Sequence, residues 1–309
     1  MHLRLLAVAV ALAACAPAPG PAPSPDARVE LVGEGVLSTA ANEYNPSLSP
    51  DGRTLVFARS EPDFRGPRIQ FSRLRGGRWS APEPAPFAAA GHGDSDPTFA
   101  PDGRTLYFVS DRPAPGRDPA RTDLDLWRVR GEGDGWGVPE HLGAAVNSPA
   151  QELGPEWRDG WLYFGSSRGG RARMLDLFRA RETGGGFGAA EAVEAWNSPA
   201  SEGDPELSPD GATVLFWSDR PGGQGQGDLY VSRRVGESWS TPEPAAGLNS
   251  PAFDFTPDFS RDGRWLYFAS TRTGAATPSG VGNGQSDLYR VRASAVPRRS
   301  VQTTPPEAR

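Results

Sequence analysis

The chain has 309 residues, of which 38 are glycine and 32 proline, and hydrophobic residues make up 37%. That balance is low for a helical protein and ordinary for an all-β protein with many turns. The formal charge is -6 with no basic run, which excludes a nucleic-acid partner, because phosphate binding needs a clustered cationic surface.

The first elements in chain order are targeting signals. "MHLRLLAVAVALAAC" has a positive n-region at Arg4 and an apolar stretch from Leu5 to Leu12, too short to span a bilayer. It ends in "LAAC", which resembles the bacterial lipobox. The resemblance implies cleavage before Cys15 and lipidation of Cys15, so residues 1–14 are expected to be a lipoprotein signal peptide. Cys15 is the single cysteine of the chain, so no disulfide is available. By the sorting rule of Gram-negative lipoproteins, Ala16 implies the outer membrane, with the protein facing the periplasm or the cell surface. "APAPGPAPSPDA" (16–27) reads as a semi-rigid tether.

From residue 28 the chain repeats itself. Asp-Gly pairs fall at Asp51-Gly52, Asp102-Gly103, Asp159-Gly160, Asp210-Gly211 and Asp262-Gly263, spaced 51 to 57 residues apart. A fixed period of that size signals a propeller or a solenoid. Within residues 204–248, "PELS" is a short strand, "PDGA" a tight turn and "TVLFWS" a β-branched, aromatic buried strand. "DLYVSRR" is a third strand and "WSTPEPAAGL" an outer one, where proline is tolerated because an edge strand has free N–H positions. The spacing predicts five four-stranded antiparallel blades over 28–295. The fifth repeat lacks its outer strand, and residues 28–38 have no repeat before them. The N-terminal strand is therefore expected to complete the last blade and remove an open sheet edge. Residues 296–309 read as a disordered tail.

The run "P-x-x-S-P-D-G-x-x-L-Y-F-x-S-x-R", then "D-L-Y", "W-x-x-P-E-P" and "N-S-P-A-x-E", resembles the TolB-type, WD40-like β-propeller repeat of bacterial envelope proteins. It is especially similar to copies in lipoproteins and in proteins with peptidoglycan-binding OmpA-like domains. The resemblance covers about residues 28 to 295 and implies a five-bladed propeller. It includes no OmpA-like stretch, so cell-wall binding does not follow from it, and one fold hosts many functions.

On an up-and-down blade the Asp-Gly turns share the bottom face. The loops between strands two and three, and between blades, share the top. An acid stands three residues before each first-strand proline: Glu43, Asp94, Glu152, Glu202 and Asp254. With first strands innermost, these five are expected to ring the channel mouth and attract a cation or a basic ligand. Calcium is the hard cation that such oxygens suit; no other cofactor is expected. The competing reading is that each acid accepts neighbouring-blade hydrogen bonds and locks blade to blade. Arg112 with Asp125, Arg168 with Asp176, Arg220 with Asp228 and Arg272 with Asp287 are expected to pair across the hairpin of strands two and three, a pair that the first repeat lacks. The top loops 113–122, 169–175, 221–227 and 273–286 vary in length and content, as specificity loops do. Trp79, Trp136, Phe187 and Trp239 recur as framework aromatics, whereas Trp196 and Trp217 break the pattern and are expected to be exposed.

His92 and His141 have no metal-spacing partner, no G-x-S-x-G elbow is present, and the one cysteine is taken by lipid. The chain is therefore expected to be a non-catalytic monomer that binds an envelope protein or polysaccharide on the face with the acid ring. The alternative is a glycan hydrolase using two of the ring carboxylates, as five-bladed glycosidases do.

Overall fold

The computed structural model describes residues 28–116, 123–170, 174–274 and 279–297. The leader, Cys15 and the tether lie outside these residues. The described chain is all β apart from two single-turn 3-10 helices, and its sheets form the five blades of a propeller. Blade 1 holds Asn42–Leu48, Thr54–Ser60 and Arg68–Arg75. Blade 2 holds Asp94–Phe99, Thr105–Ser110 and Asp125–Glu132. Blade 3 holds Glu152–Arg158, Trp161–Ser166 and Asp176–Thr183. Blade 4 holds Glu202–Leu207, Thr213–Ser218 and Asp228–Val235. Blade 5 holds Asp254–Phe259, Trp265–Ser270 and Asp287–Arg292.

In blades 1 to 4 the outer edge is two short pieces, such as Ser238–Trp239 and Glu243–Pro244, both paired with the third strand. The proline of "PEP" thus stands on an edge that needs no donor. In blade 5 the outer strand is Glu30–Leu31, with Glu30 opposite Arg290 and Leu31 opposite Tyr289. The chain ends meet there. Val32 N–H donates to the Leu288 carbonyl at 2.8 Å, and Leu37 is fully buried beside Leu55, Phe57 and Leu288.

The core lies between blades as apolar clusters built from the "LYF" and "DLY" strands, for example Leu215, Leu229 and Val231 against Leu266 and Phe268. Trp79, Trp136, Phe187 and Trp239 pack half-buried against these clusters. Two sequence expectations fail here. Val296 is 7% exposed and joins the blade 4–5 core, so the propeller runs past 295. Trp196 is fully buried, its ring 5.0 Å from Trp239 and 5.4 Å from Tyr163. It fills the slot that Val146 and Leu248 fill before their own "NS" pairs, and the larger indole still fits.

Candidate functional site

The five acids Glu43, Asp94, Glu152, Glu202 and Asp254 are each fully buried and do not ring the axis. Each is held inside its own blade. Glu202 accepts the Ser198 hydroxyl at 2.5 Å, the Ser218 hydroxyl at 3.1 Å and Arg220 at 2.9 Å. Glu152 and Asp254 repeat this with Ser148, Ser166 and Arg168, and with Ser250, Ser270 and Arg272. The "N-S-P-A-x-E" motif spans two blades. Asn147 exchanges hydrogen bonds with the Leu126 backbone of blade 2, and Ser148 holds the acid of blade 3. Through these linkers Glu43, Glu152, Glu202 and Asp254 join blade-to-blade locks, Asp94 is held by Arg112, and no five-fold cation ring forms.

The arginines are corrected with them. Arg112, Arg168, Arg220 and Arg272 pair with the first-strand acids Asp94, Glu152, Glu202 and Asp254 at 2.6–3.1 Å, not with Asp125, Asp176, Asp228 and Asp287. Each guanidinium lies over the phenylalanine of its second strand and the aromatic of its "DL" strand, as Arg220 does over Phe216 and Tyr230 at 5.1 Å. The repeated "F-x-S-x-R…D-L-Y" is thus one stacked ion-pair assembly. Blade 1 keeps the ion pair without the third-strand aromatic: Arg59, two positions earlier, pairs with Glu43 at 2.8 Å and lies over Phe57. The third-strand aspartates brace top loops instead. Asp228 accepts the Gln224 and Gly225 N–H groups, Asp287 that of Gly282, and Asp125 lies 3.1 Å from His141. Gly169 sits against Asp176 so closely that a side chain there would collide with its carboxylate. Burial pushes Asp287 up to about 6.

The axis is lined two and four residues further along each first strand. Every first strand carries a bulge there. At the bulge Asn45, Asp96, Asp204 and Thr256 have φ of 48°, 50°, 51° and 51°, and Gly154 has 56°. Left-handed backbone costs an L residue roughly 1–2 kcal/mol, and such strain gathers at functional sites. Asn and Asp tolerate it best; β-branched Thr256 does not. Gly154 is the exception that makes room: a Cβ there would lie 2.3 Å from an Asp204 carboxylate oxygen, while its N–H donates to Asp96 at 3.0 Å. Asp96 and Asp204 thus approach each other over Gly154. Asn45 reaches Asp204 across the axis at 3.4 Å. Burial pushes both carboxyls up, Asp204 further because Asp96 faces it.

Below this tier lie Ser47, Thr98, Glu156, Glu206 and Asp258. Arg158 donates to Glu156 at 3.1 Å and to the Leu207 carbonyl at 2.9 Å, and Arg261 spans from blade 5 to the Phe99 carbonyl of blade 2 at 2.9 Å. Between the two tiers the axis leaves about 30 Å3, room for one or two waters. The channel is plugged.

Above the plug opens a funnel of about 340 Å3. Its wall is the residue that follows each lock acid: Tyr44, Ser95, Leu153 and Phe255, with Gly203 covered by the Trp217 indole. Phe253 stacks on Phe255 at 4.3 Å and 2°, because alternate residues of a strand share a face. Trp217 stands edge-on to Phe253 at 5.4 Å. Phe64 lies 5.1 Å from Tyr44 and 6.1 Å from Phe255, 42% exposed. It is carried by a loop in which Asp63, Phe64 and Gly66 all have positive φ. Leu124, Leu175 and Pro67 complete the far wall, and Asp111, paired with His92 at 3.3 Å, stands at the rim. Trp217, expected to be exposed, is part-buried in this wall. Phe64, Phe253, Phe255, Asp96 and Asp204 were not singled out in the sequence. Among the described residues no three His, Cys, Asp or Glu side chains are set to hold a metal ion.

The variable top loops act between blades. Gly227 of the blade 4 loop bridges to Phe253, and Asn283 of the blade 5 loop donates to the Ala40 carbonyl at 3.1 Å. Residues 117–122, 171–173 and 275–278 of the other variable stretches lie outside the described residues.

The buried channel acids set a pH dependence. Burial pushes Asp258 up to about 7, and raises Glu206, Asp96 and Asp204. A carboxyl raised on folding binds more protons folded than unfolded, so stability falls as pH rises. The Asp258 contribution is complete below about 4, its unfolded value, and lost by about 7. The turn acids Asp51, Asp102, Asp210 and Asp262 are held low by backbone and hydroxyl donors, so their contribution is lost only below about 4. Thermal melts should show a maximum near pH 5 and a fall of several degrees by pH 8, and Asp258→Asn should flatten that fall. A Tm that rises from pH 5 to pH 8 would contradict the burial of these acids.

No protein-family model matches the chain, and no curated protein matches its sequence. Solved structures match its fold. A glycoside hydrolase is similar with a TM-score of 0.57 and 11% identity, over 91% of this chain and 96% of that one. An α-L-arabinofuranosidase from Lactobacillus brevis gives 0.54 and 9%, over 82% and 90%. A TolB protein from Agrobacterium tumefaciens gives 0.48 and 17%, over 81% and 90%. Likeness at such identities is one of fold: the chain is a β-propeller, and no activity follows from it.

Proposed function

We propose that this chain is a non-catalytic envelope lipoprotein whose propeller holds a partner in the top-face funnel. Lipid on Cys15 would tie it to the outer membrane, and the proline-rich tether would carry the wheel off the bilayer, facing the periplasm or the surface. The partner is an envelope protein or polysaccharide, and the chain acts as a monomer. One observation carries the binding role: a concave, largely apolar pocket with an exposed aromatic, Phe64, held over it by a strained loop. The contact surface moves from the lock acids, which no partner can reach, to Tyr44, Phe64, Trp217, Phe253 and Phe255.

Crosslinking capture from native membranes tests this. A partner band should appear with the wild type and with Arg53→Ala on the opposite face, and vanish with Phe64→Ser and Trp217→Ala. A band indifferent to both funnel variants would refute the docking site. The hydrolase alternative loses all five ring acids, which are buried in their blades, and leaves Asp96 and Asp204 as the axial pair at the funnel floor. Turnover of aryl glycosides that disappears in Asp96→Asn and in Asp204→Asn would replace the binding reading with it.

A further inference from the structure

The funnel carries three acids, Asp96, Asp111 and Asp204, and no lysine, arginine or histidine among its described lining residues. Five aromatic rings enclose one side of it, all within 4.3–6.3 Å of a neighbouring ring. Aromatic faces are negative, and a ring of them attracts a cation most strongly where water is excluded. The axial carboxyls lie at the base of the pocket, beside Asn45 and Thr256. Burial and their closeness to each other hold back their charge, and a cation placed there would restore it. An anion would find no cationic side chain among these lining residues.

We infer that the funnel is a receptor for an organic cation, an ammonium group borne on an apolar or aromatic body, seated against the Tyr44–Phe64–Phe255 cluster with its charge toward Asp96 and Asp204. The inference rests on the docking reading above and names the chemistry of what docks. The rim pair Asp111–His92 sits outside the ring cluster and leaves the mouth open. The strained loop of Asp63 and Phe64 supplies the one ring of the enclosure that is exposed, so Phe64 is the ring a ligand meets first.

The probe is phenyltrimethylammonium, compared with its neutral carbon isostere tert-butylbenzene, titrated against the full-length protein by tryptophan fluorescence and by ligand-observed NMR. The cation should bind roughly tenfold more tightly than the isostere. Phe64→Leu keeps apolar volume at a surface position and should weaken the cation severalfold while leaving the isostere unchanged; Asp204→Asn should do the same. Equal affinities, no binding of either probe, or a Phe64→Leu loss shared equally by both would overturn the inference. Partner capture that depends on Phe64 while the ammonium does not bind would overturn the cation chemistry and leave the docking reading standing. Cation binding with capture unaffected would support the pocket and sink the docking reading. Displacement of the captured partner by phenyltrimethylammonium would assign the cation to the partner; selective binding without displacement would assign it to a free small molecule.

Discussion

Deleting residues 28–38 should convert the protein into a species that aggregates and is cut rapidly by trypsin. Those residues supply the outer strand of blade 5 and join the two ends of the described chain on that sheet. They bury Val32 and Leu37, about 3–6 kcal/mol of apolar burial between them. Ser38 accepts from the Leu288 N–H at 3.0 Å, as Asn147, Asn197 and Asn249 accept from the third-strand leucines of blades 2 to 4, and it donates to the Val32 carbonyl at 3.1 Å. Without the segment the Asp287–Arg292 strand is an open edge, which invites pairing with another chain. Size-exclusion chromatography and limited proteolysis of the truncated chain are the measurements. A monomeric, protease-resistant product would mean that the wheel does not close this way.

Arg220→Ala should strongly destabilise the propeller. Glu202 is fully buried and Arg220 is 12% exposed, at 2.9 Å. Removing one partner of a buried pair leaves the other charge uncompensated, at about 3–5 kcal/mol, on the order of 10 °C in Tm for a domain of this size. The same arginine donates to the Trp196 carbonyl at 2.6 Å and covers Phe216 and Tyr230, so blade packing loosens with the charge. Desolvation already raises Glu202 above the usual carboxylate range. The orphaned acid will therefore take a proton, and the loss should be smaller at pH 5 than at pH 7.5. Glu202→Gln combined with Arg220→Met should recover part of it. Melts of the wild type and the two variants at both pH values are the check; an unchanged Tm in Arg220→Ala would show that the pair is not structural.

The wheel was legible because its signal is periodic. Five Asp-Gly turns, each followed by an apolar run ending in Phe ("LYF" in three repeats, "LVF" and "VLF" in the others), fix five blades, and a missing last strand beside an orphan first one fixes how they close. Side-chain direction was harder. Whether an acid on a strand faces the axis or the neighbouring blade turns on a one-residue offset, and the bulge at Asn45, Asp96, Gly154, Asp204 and Thr256 resets the register at that point. Simple alternation could not see it. The arginine partners went astray for a related reason: residue 18 positions back along the chain, Glu202 from Arg220, is nearer in space than the aspartate eight positions ahead. The funnel was written in the sequence in a form that repeat-matching discards. The position after each lock acid reads Tyr, Ser, Leu, Gly, Phe, the variation expected where the framework stops dictating. Phe64 had a signal too, an aromatic stranded among turn formers in "EPDFRGP".

Arg158 and Arg261, lodged beneath the strained tier, give the wheel a single entrance. A polymer cannot be threaded along the axis and emerge on the far side. Whatever visits must present a tip, a bend or a dangling group, and must back out the way it came. Its grip is then set by how a blunt end is gripped at a cul-de-sac, so long partners differing only beyond that end should be held alike.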